Sequence, residues 1–315
     1  MSAPAIDDLG HGIRAIDTGT AGLSGVTAGY LIDAPRPTLI ECGPALSIGT
    51  VIDALRGLGM EPGDLAQLLV SHVHLDHAGG AGDMAEAFPG ATVIVSEVGA
   101  HHLIDPERLN SSSRRVYGEL MDTVYGDCTP TPRQRVRAVA DGDVVDLGGG
   151  RRLDIVFSPG HAKHHISALD SDSGTLFVGD SVGVRMPGMT AIRPATPPPD
   201  FDLVLAGRTL RRYQELAPAA VMLSHYGGVG PPAAALQQAF ERLQLWAETA
   251  ERAWSEHSEL DHVSETLAQR FADEVAPGSD DPDVVRRAQL MNNPRSNAMG
   301  LIRYFEQRRE GKTAT

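Results

Sequence analysis

The stretch LVSHVHLDHAGG, Leu69 to Gly80, places three histidines and an aspartate within six consecutive positions, 72 to 77. Apolar residues precede and separate them, and two glycines follow. On a strand, residues two apart face the same way, so His72 and His74 can reach one point. For Asp76 and His77 to reach a neighbouring point the chain must turn at once, and Gly79-Gly80 fits such a turn into a helix. A chain built around this stretch needs a buried strand, a tight turn and a helix in that order. A solvated, histidine-rich loop would not carry apolar neighbours on both sides.

Three further segments have the same form, an apolar run that ends in a metal-capable side chain. LDIVFSPGHAKHH reaches His161, GTLFVGDS reaches Asp180, and AVMLSHYGG reaches His225. Imidazole and carboxylate donors suit zinc, iron or manganese. The two cysteines, Cys42 and Cys128, lie far apart and suggest neither a disulfide framework nor a thiolate site.

The rest of the chain fits an α/β protein. Short strand candidates run over 13–17, 26–32, 38–41, 68–71 and 92–96. Helical patterns cover 48–58 (with Ile48, Ile52 and Leu55 on one face), 81–88 and most of 97–125. After Pro130 and Pro132 come strand candidates at 136–139, 143–146, 153–157, 166–169 and 175–178, then a helix over 201–216 and a last strand over 219–223. Two halves of strands plus helices suggest two sheets with helices outside. From Pro231 the chain reads as helical, with Leu236, Phe240, Leu243 and Ala247 on one stripe. Asp261 is a candidate cap for a helix burying Val263, Leu267, Phe271 and Val275. Asp281-Pro282 begins a last helix running to Arg309. Domains are expected at 1–230 and 231–315, the second a helical extension that serves as a lid or a dimer surface.

The order of these segments resembles the metallo-β-lactamase superfamily, most closely its glyoxalase II-like hydrolases, over Ile13 to Gly228. The resemblance implies an αβ/βα sandwich with a C-terminal helical extension. It implies that His72, His74 and His161 hold a first metal, that Asp76, His77 and His225 hold a second, and that Asp180 bridges the two. Glu41 stands where many members have an aspartate beside the site. Two divalent transition metals are implied, zinc first, with iron or manganese as alternatives. The implied activity is hydrolysis by a metal-bridging hydroxide of an ester, thioester or lactone, with Asp76 as the catalytic carboxylate that orients the nucleophile and passes a proton to the leaving group. The same superfamily contains mononuclear iron persulfide dioxygenases and phosphodiesterases, which are the alternatives. A third reading is a metal-binding protein of vestigial activity whose helical tail recruits a partner.

Other residues are open to two readings each. His165 contacts the site or substrate, or packs on a strand. Arg185, with Met186, lies in the segment after Asp180 and contacts substrate or belongs to a packed connector. Tyr226 donates to an oxyanion or packs its ring. Asn292, Asn293 and Asn297 reach inward or cap and turn the chain. His164 reads as a surface residue, and His101, His102, His257 and His262 as solvated helix residues.

The net charge of −14 argues against nucleic acid, whose binding relies on Lys and Arg. It leaves room for a small anionic substrate beside bound dications. The apolar fraction of 42% is that of an ordinary globular chain, and no run of about 18 apolar residues suggests a membrane span. The N-terminal MSAPAIDDLGHG lacks the basic-then-apolar order of a secretory signal, so a cytoplasmic protein is expected. The expected partners are a small-molecule substrate and a second copy in a homodimer.

Overall fold

The computed structural model describes residues 5–275 and 281–314. The strands are β1 (Ile6–Asp8), β2 (Ile13–Asp17), β3 (Ala28–Ile32), β4 (Thr38–Ile40), β5 (Gln67–Leu69), β6 (Thr92–Ser96), β7 (Val136–Val139), β8 (Val144–Gly148), β9 (Arg151–Phe157), β10 (Ile166–Asp170), β11 (Thr175–Phe177), β12 (Ala220–Leu223) and β13 (Gly227–Val229). The helices are α1 (Ile48–Gly57), α2 (Leu75–Ala78), α3 (Ala81–Ala87), α4 (Ala100–Ile104), α5 (Glu107–Tyr117), α6 (Leu203–Leu216), α7 (Pro232–Glu256), α8 (Leu260–Arg270), α9 (Asp283–Met291) and α10 (Pro294–Arg309).

The chain divides into two compact units, Met1–Phe157 with His164–Phe177, and Ser158–Lys163 with Val178–Thr315. The segment from 178 to 230 therefore groups with the C-terminal helices, whereas the sequence places a boundary after 230. The reason is packing: α7 lies against α6 as well as against α8 and α10.

In the first unit β1 to β7 form a sheet in sequence order. Pairing is antiparallel from β1 to β4 and parallel from β4 to β7. β3, β4 and β5 are buried along their whole length, as expected where a sheet is covered on both faces. α1 buries Ile48, Val51, Ala54 and Leu55, so Val51 rather than Ile52 completes its inner stripe. β8 to β11 form an antiparallel run, with β9 central between β8 and β10. Tyr30 on β3 meets Phe177 on β11 with ring centroids 5.2 Å apart, so strands from both sheets share one core.

Arg151 donates Nε and Nη2 to the two oxygens of the buried Asp170, each at 2.8 Å, across the β9–β10 ladder. Ser173 adds its amide and hydroxyl to the same carboxylate. Burial alone would push the Asp170 carboxyl up, but the Arg151 and Ser173 hydrogen bonds hold it below the usual carboxylate range.

In the second unit β12 and β13 make a short hairpin, so the strand ending at Leu223 is followed by one more. Trp246 on α7 stacks on Phe271 at 4.5 Å, and Trp254 meets Phe305 on α10 at 5.6 Å. α8 starts at Leu260 with Glu259 at its N-cap, so Asp261, the expected cap, lies instead in the first turn. The expected last helix is two: α9 ends at Met291, Asn293 caps α10 by accepting from the Arg295 amide, and Pro294 takes the first helical position. Proline has no N–H to donate and cannot sit in a helix interior without losing a hydrogen bond, which explains the break. Cys42 and Cys128 are buried free thiols. No helix among the described residues is long and apolar enough to cross a membrane.

Candidate metal centre

Each unit carries its own set of donors. In the first unit they stand at the carboxyl ends of the parallel strands, where α/β sheets collect functional groups. Just past the end of β4, Glu41 adopts a left-handed conformation at φ 62° and turns its buried carboxylate under the loop after β5. Its Oε2 accepts from the Ser71 amide at 3.2 Å, and its Oε1 faces His77 Nδ1 at 3.3 Å.

The loop 70–74 then presents His72 and His74. His72 Nδ1 is 2.8 Å from Ser71 Oγ, which leaves Nε2 turned inward, 2.9 Å from His74 Nδ1. α2 is one short turn, and it places Asp76 and His77 at once, with His77 Nε2 3.5 Å from Asp76 Oδ2. The amides of Cys42 and Gly43 both donate to the His77 carbonyl at 3.1 Å and fix that turn to the end of β4. Glu41, His72 and His77 offer ligand atoms within 4.8 Å of one another.

His165 is fully buried with its ring 4.9 Å from that of His72, so it backs the imidazole rather than presenting a face to solvent. His164, expected at the surface, is also buried. Its Nδ1 lies 3.4 Å from the Val73 amide and its carbonyl accepts from Ser96 Oγ at 2.7 Å. The pair sits where β10 begins beside the ligand loop, an adjacency far apart in sequence: the Ile166 amide donates to the Ser71 carbonyl at 2.8 Å.

In the second unit Asp180 is the hub. The segment after 178 runs beside β12, with the Val178 amide on the Met222 carbonyl at 3.1 Å, so Asp180 and His225 emerge at one end. His225 Nε2 lies 3.6 Å from Asp180 Oδ1, and His161 Nε2 lies 3.5 Å from Asp180 Oδ2. All three side chains are buried. Ser181, next to Asp180, is held by the Val178 carbonyl at 2.6 Å and by Tyr213 Oη at 2.7 Å.

His161 is placed by α6. The Asp202 amide at its N-terminus donates to the Gly160 carbonyl at 2.8 Å, and Thr209 Oγ1 donates to the Pro159 carbonyl at 2.7 Å. A Cβ on Gly160 would strike the Ala206 backbone, and φ there is 137°, so only glycine allows this approach. His161 Nδ1 is 3.0 Å from the Ala195 carbonyl. A carbonyl only accepts, so Nδ1 carries the proton and Nε2 keeps its lone pair for Asp180's side of the site.

Arg185 is exposed, and its amide donates to the His225 carbonyl. Tyr226 is half-buried and packs on Val184, Met186, Met189 and Ala288. Of the three asparagines, Asn293 caps α10, while Asn292 and Asn297 are buried and reach the segment 194–196. Gly160, the Ala195 carbonyl and Ser96 carry no local sequence signal of their role.

Donor sets of this kind fit divalent cations. His72, His77 and His161 each engage one ring nitrogen with the protein and turn the other toward a carboxylate or imidazole, the outer-partner pattern that fixes a ligating tautomer. Oxygen and nitrogen donors without thiolate suit zinc, iron and manganese alike.

The profile of the metallo-beta-lactamase superfamily matches residues 22–225. The chain belongs to that superfamily. A superfamily relative, the metallo-beta-lactamase fold-containing protein ST1585 of Sulfurisphaera tokodaii, is 31% identical over 201 residues, 61% of this chain and 73% of the relative. Its crystal structure superposes with a TM-score of 0.64 over 92% of this chain and 98% of that one, at 24% identity. An N-acyl homoserine lactonase of Agrobacterium fabrum is 26% identical over 55% of this chain and 63% of the relative. A hydroxyacylglutathione hydrolase of a Synechococcus strain is 31% identical over 49% of this chain and 48% of the relative. The metallo-beta-lactamase fold with a C-terminal helical region is thus the architecture of this protein, as the sequence motifs imply.

Proposed function

We propose that this superfamily member is a dinuclear metal-dependent hydrolase of a small ester, thioester or lactone. In this reading His72, His74 and His161 would hold one cation, Asp76, His77 and His225 would hold the other, and the Asp180 carboxylate would serve both. The observation that carries it is the Asp180 carboxylate, approached on its two oxygens by the Nε2 atoms of His161 and His225 at 3.5 and 3.6 Å. A carboxylate with an imidazole at each oxygen is built to serve two charges at once. Relatives named for lactone and thioester hydrolysis support the acyl substrate class, and the charge of −14 favours a small molecule over nucleic acid.

Divalent cations, when bound, supply Lewis acidity toward the acyl oxygen and lower the pKa of a water. The chain's own groups do the rest. Glu41 holds His77 by Nδ1, and Ser71 holds His72 by Nδ1, so both rings keep their orientation without rearrangement. Asp76, partly accessible beside His77, accepts the proton of the attacking water and returns it to the leaving group. Arg185, exposed and with its amide bonded to the His225 carbonyl, is the cation we assign to an anionic substrate group. Tyr226 and His165 act by packing.

The test is metal analysis of the purified protein joined to a panel of lactones, thioesters, phosphodiesters and a persulfide with oxygen uptake. Two equivalents of zinc, manganese or iron with acyl hydrolysis are expected. Asp180→Ala should lower both metal content and turnover, the latter about 100-fold. Full activity in Asp180→Ala, or a single iron with persulfide-dependent oxygen uptake, would overturn the reading.

A further inference from the structure

The C-terminal helices reach the His161 ligand through one peptide unit. The carbonyl of Ala195 accepts from His161 Nδ1 at 3.0 Å. The amide of Thr196, which belongs to the same planar peptide group, donates to Asn297 Oδ1 at 2.9 Å. A trans peptide directs its C=O and N–H in opposite senses, so the two hydrogen bonds form one line: Asn297 Oδ1, peptide, His161. Thr196 Oγ1 donates to the carbonyl and Oδ1 of Asn297, both at 3.0 Å. Two residues before Thr196, the Pro194 carbonyl accepts from Asn292 Nδ2 at 2.9 Å. Thr196, Asn292 and Asn297 are all buried, so these bonds do not compete with water. Gly300, one turn after Asn297, lets α10 lie directly on the Thr196 backbone, where any Cβ would collide.

From this geometry we infer that Asn297 is a positioning residue for the metal site: through the Ala195–Thr196 peptide it fixes His161 as the Nδ1–H tautomer, which makes Nε2 the ligating nitrogen. Accepting a hydrogen bond from the peptide N–H polarises its carbonyl, which strengthens the bond to His161 and makes Nε2 a better donor. The helical extension is then part of the ligand shell's support, and neither a detached lid nor a dimer surface is needed to explain why it follows the catalytic segments. The inference rests on the reading of His161 as a metal ligand, but its first readout does not require metal.

The experiment compares the full-length protein with Asn297→Ala, Thr196→Val and Thr196→Ser. Thr196→Val is nearly isosteric and removes only the hydroxyl's bonds to Asn297; Thr196→Ser keeps them. In metal-free protein, long-range 1H–15N spectra report the His161 tautomer. Wild type and Thr196→Ser are expected as pure Nδ1–H, and Asn297→Ala as a mixture, with Thr196→Val between them. Zinc affinity, from competition with a chromophoric chelator, should fall about 10-fold in Asn297→Ala and stay at the wild-type value in Thr196→Ser, with stoichiometry unchanged in both. If Asn297→Ala melts at lower temperature yet keeps the pure Nδ1–H tautomer and an affinity within twofold of wild type, Asn297 is merely structural and the inference fails. If the tautomer shifts as expected but wild type binds no metal, the positioning role stands and the hydrolase proposal fails instead.

Discussion

At Gly160 the absence of one carbon decides where His161 can stand. The residue sits at φ 137° with the Ala206 backbone in the space a Cβ would take. Gly160→Ala must push α6 away or swing the 158–161 segment outward. Overpacking plus backbone strain should cost about 2 to 3 kcal/mol in chemical denaturation. The same substitution should impair zinc binding out of proportion to the lost stability, because the displaced residue is next to a proposed ligand. Unchanged affinity in a folded Gly160→Ala protein would show that His161 tolerates this displacement. Ser-Pro-Gly-His already pointed to His161 as a strand-end donor in the sequence. What could not be read there is that α6, forty residues on, is the wall against which the glycine is needed.

Between β9 and β10 the Arg151–Asp170 fork plays a purely structural part. Asp170 is fully buried, and its carboxyl is held below the usual range. A lowered folded-state pKa contributes stability that is complete above the unfolded value near 3.9 and is lost as pH falls through the folded value. Asp170→Asn should therefore be less stable than wild type at neutral pH by roughly 2 kcal/mol. The gap should close as the solution is acidified below about pH 4; a gap independent of pH would mean that charge is not what the fork supplies. Elements of this kind show how far local pattern carries. β9, β10 and β11 were legible from alternation and turn residues, and the ligand loop from its histidine spacing. α1 was legible in extent, but its buried stripe falls on Val51, because helix rotation is set by what the sheet offers. His164 looked like a surface residue because nothing local reveals that β10 begins alongside Ser71. The separation of α9 from α10 was written in Asn292-Asn293-Pro294, yet an N-cap and a proline within a helical pattern read equally as a kink or a stop.

For the whole molecule, one compact unit carries His72, His74, Asp76 and His77, and the other carries His161, Asp180 and His225. Cations bound by the native chain alone stabilise it by mass action, about 2.7 kcal/mol when the free metal exceeds its Kd 100-fold. Exhaustive chelation should thus lower the melting temperature, and restoring zinc should recover it; identical melting with and without metal would remove the dinuclear proposal. Asn292 and Asn297 give the split tail a final significance. Residues in a continuous helix turn by about 100° each, so five positions would set these two amides roughly 140° apart around the axis. No unbroken rod could then have aimed both at a three-residue target. The bend at Pro294 acts like a knuckle between two finger bones, and a grip needs the knuckle as much as the fingertips.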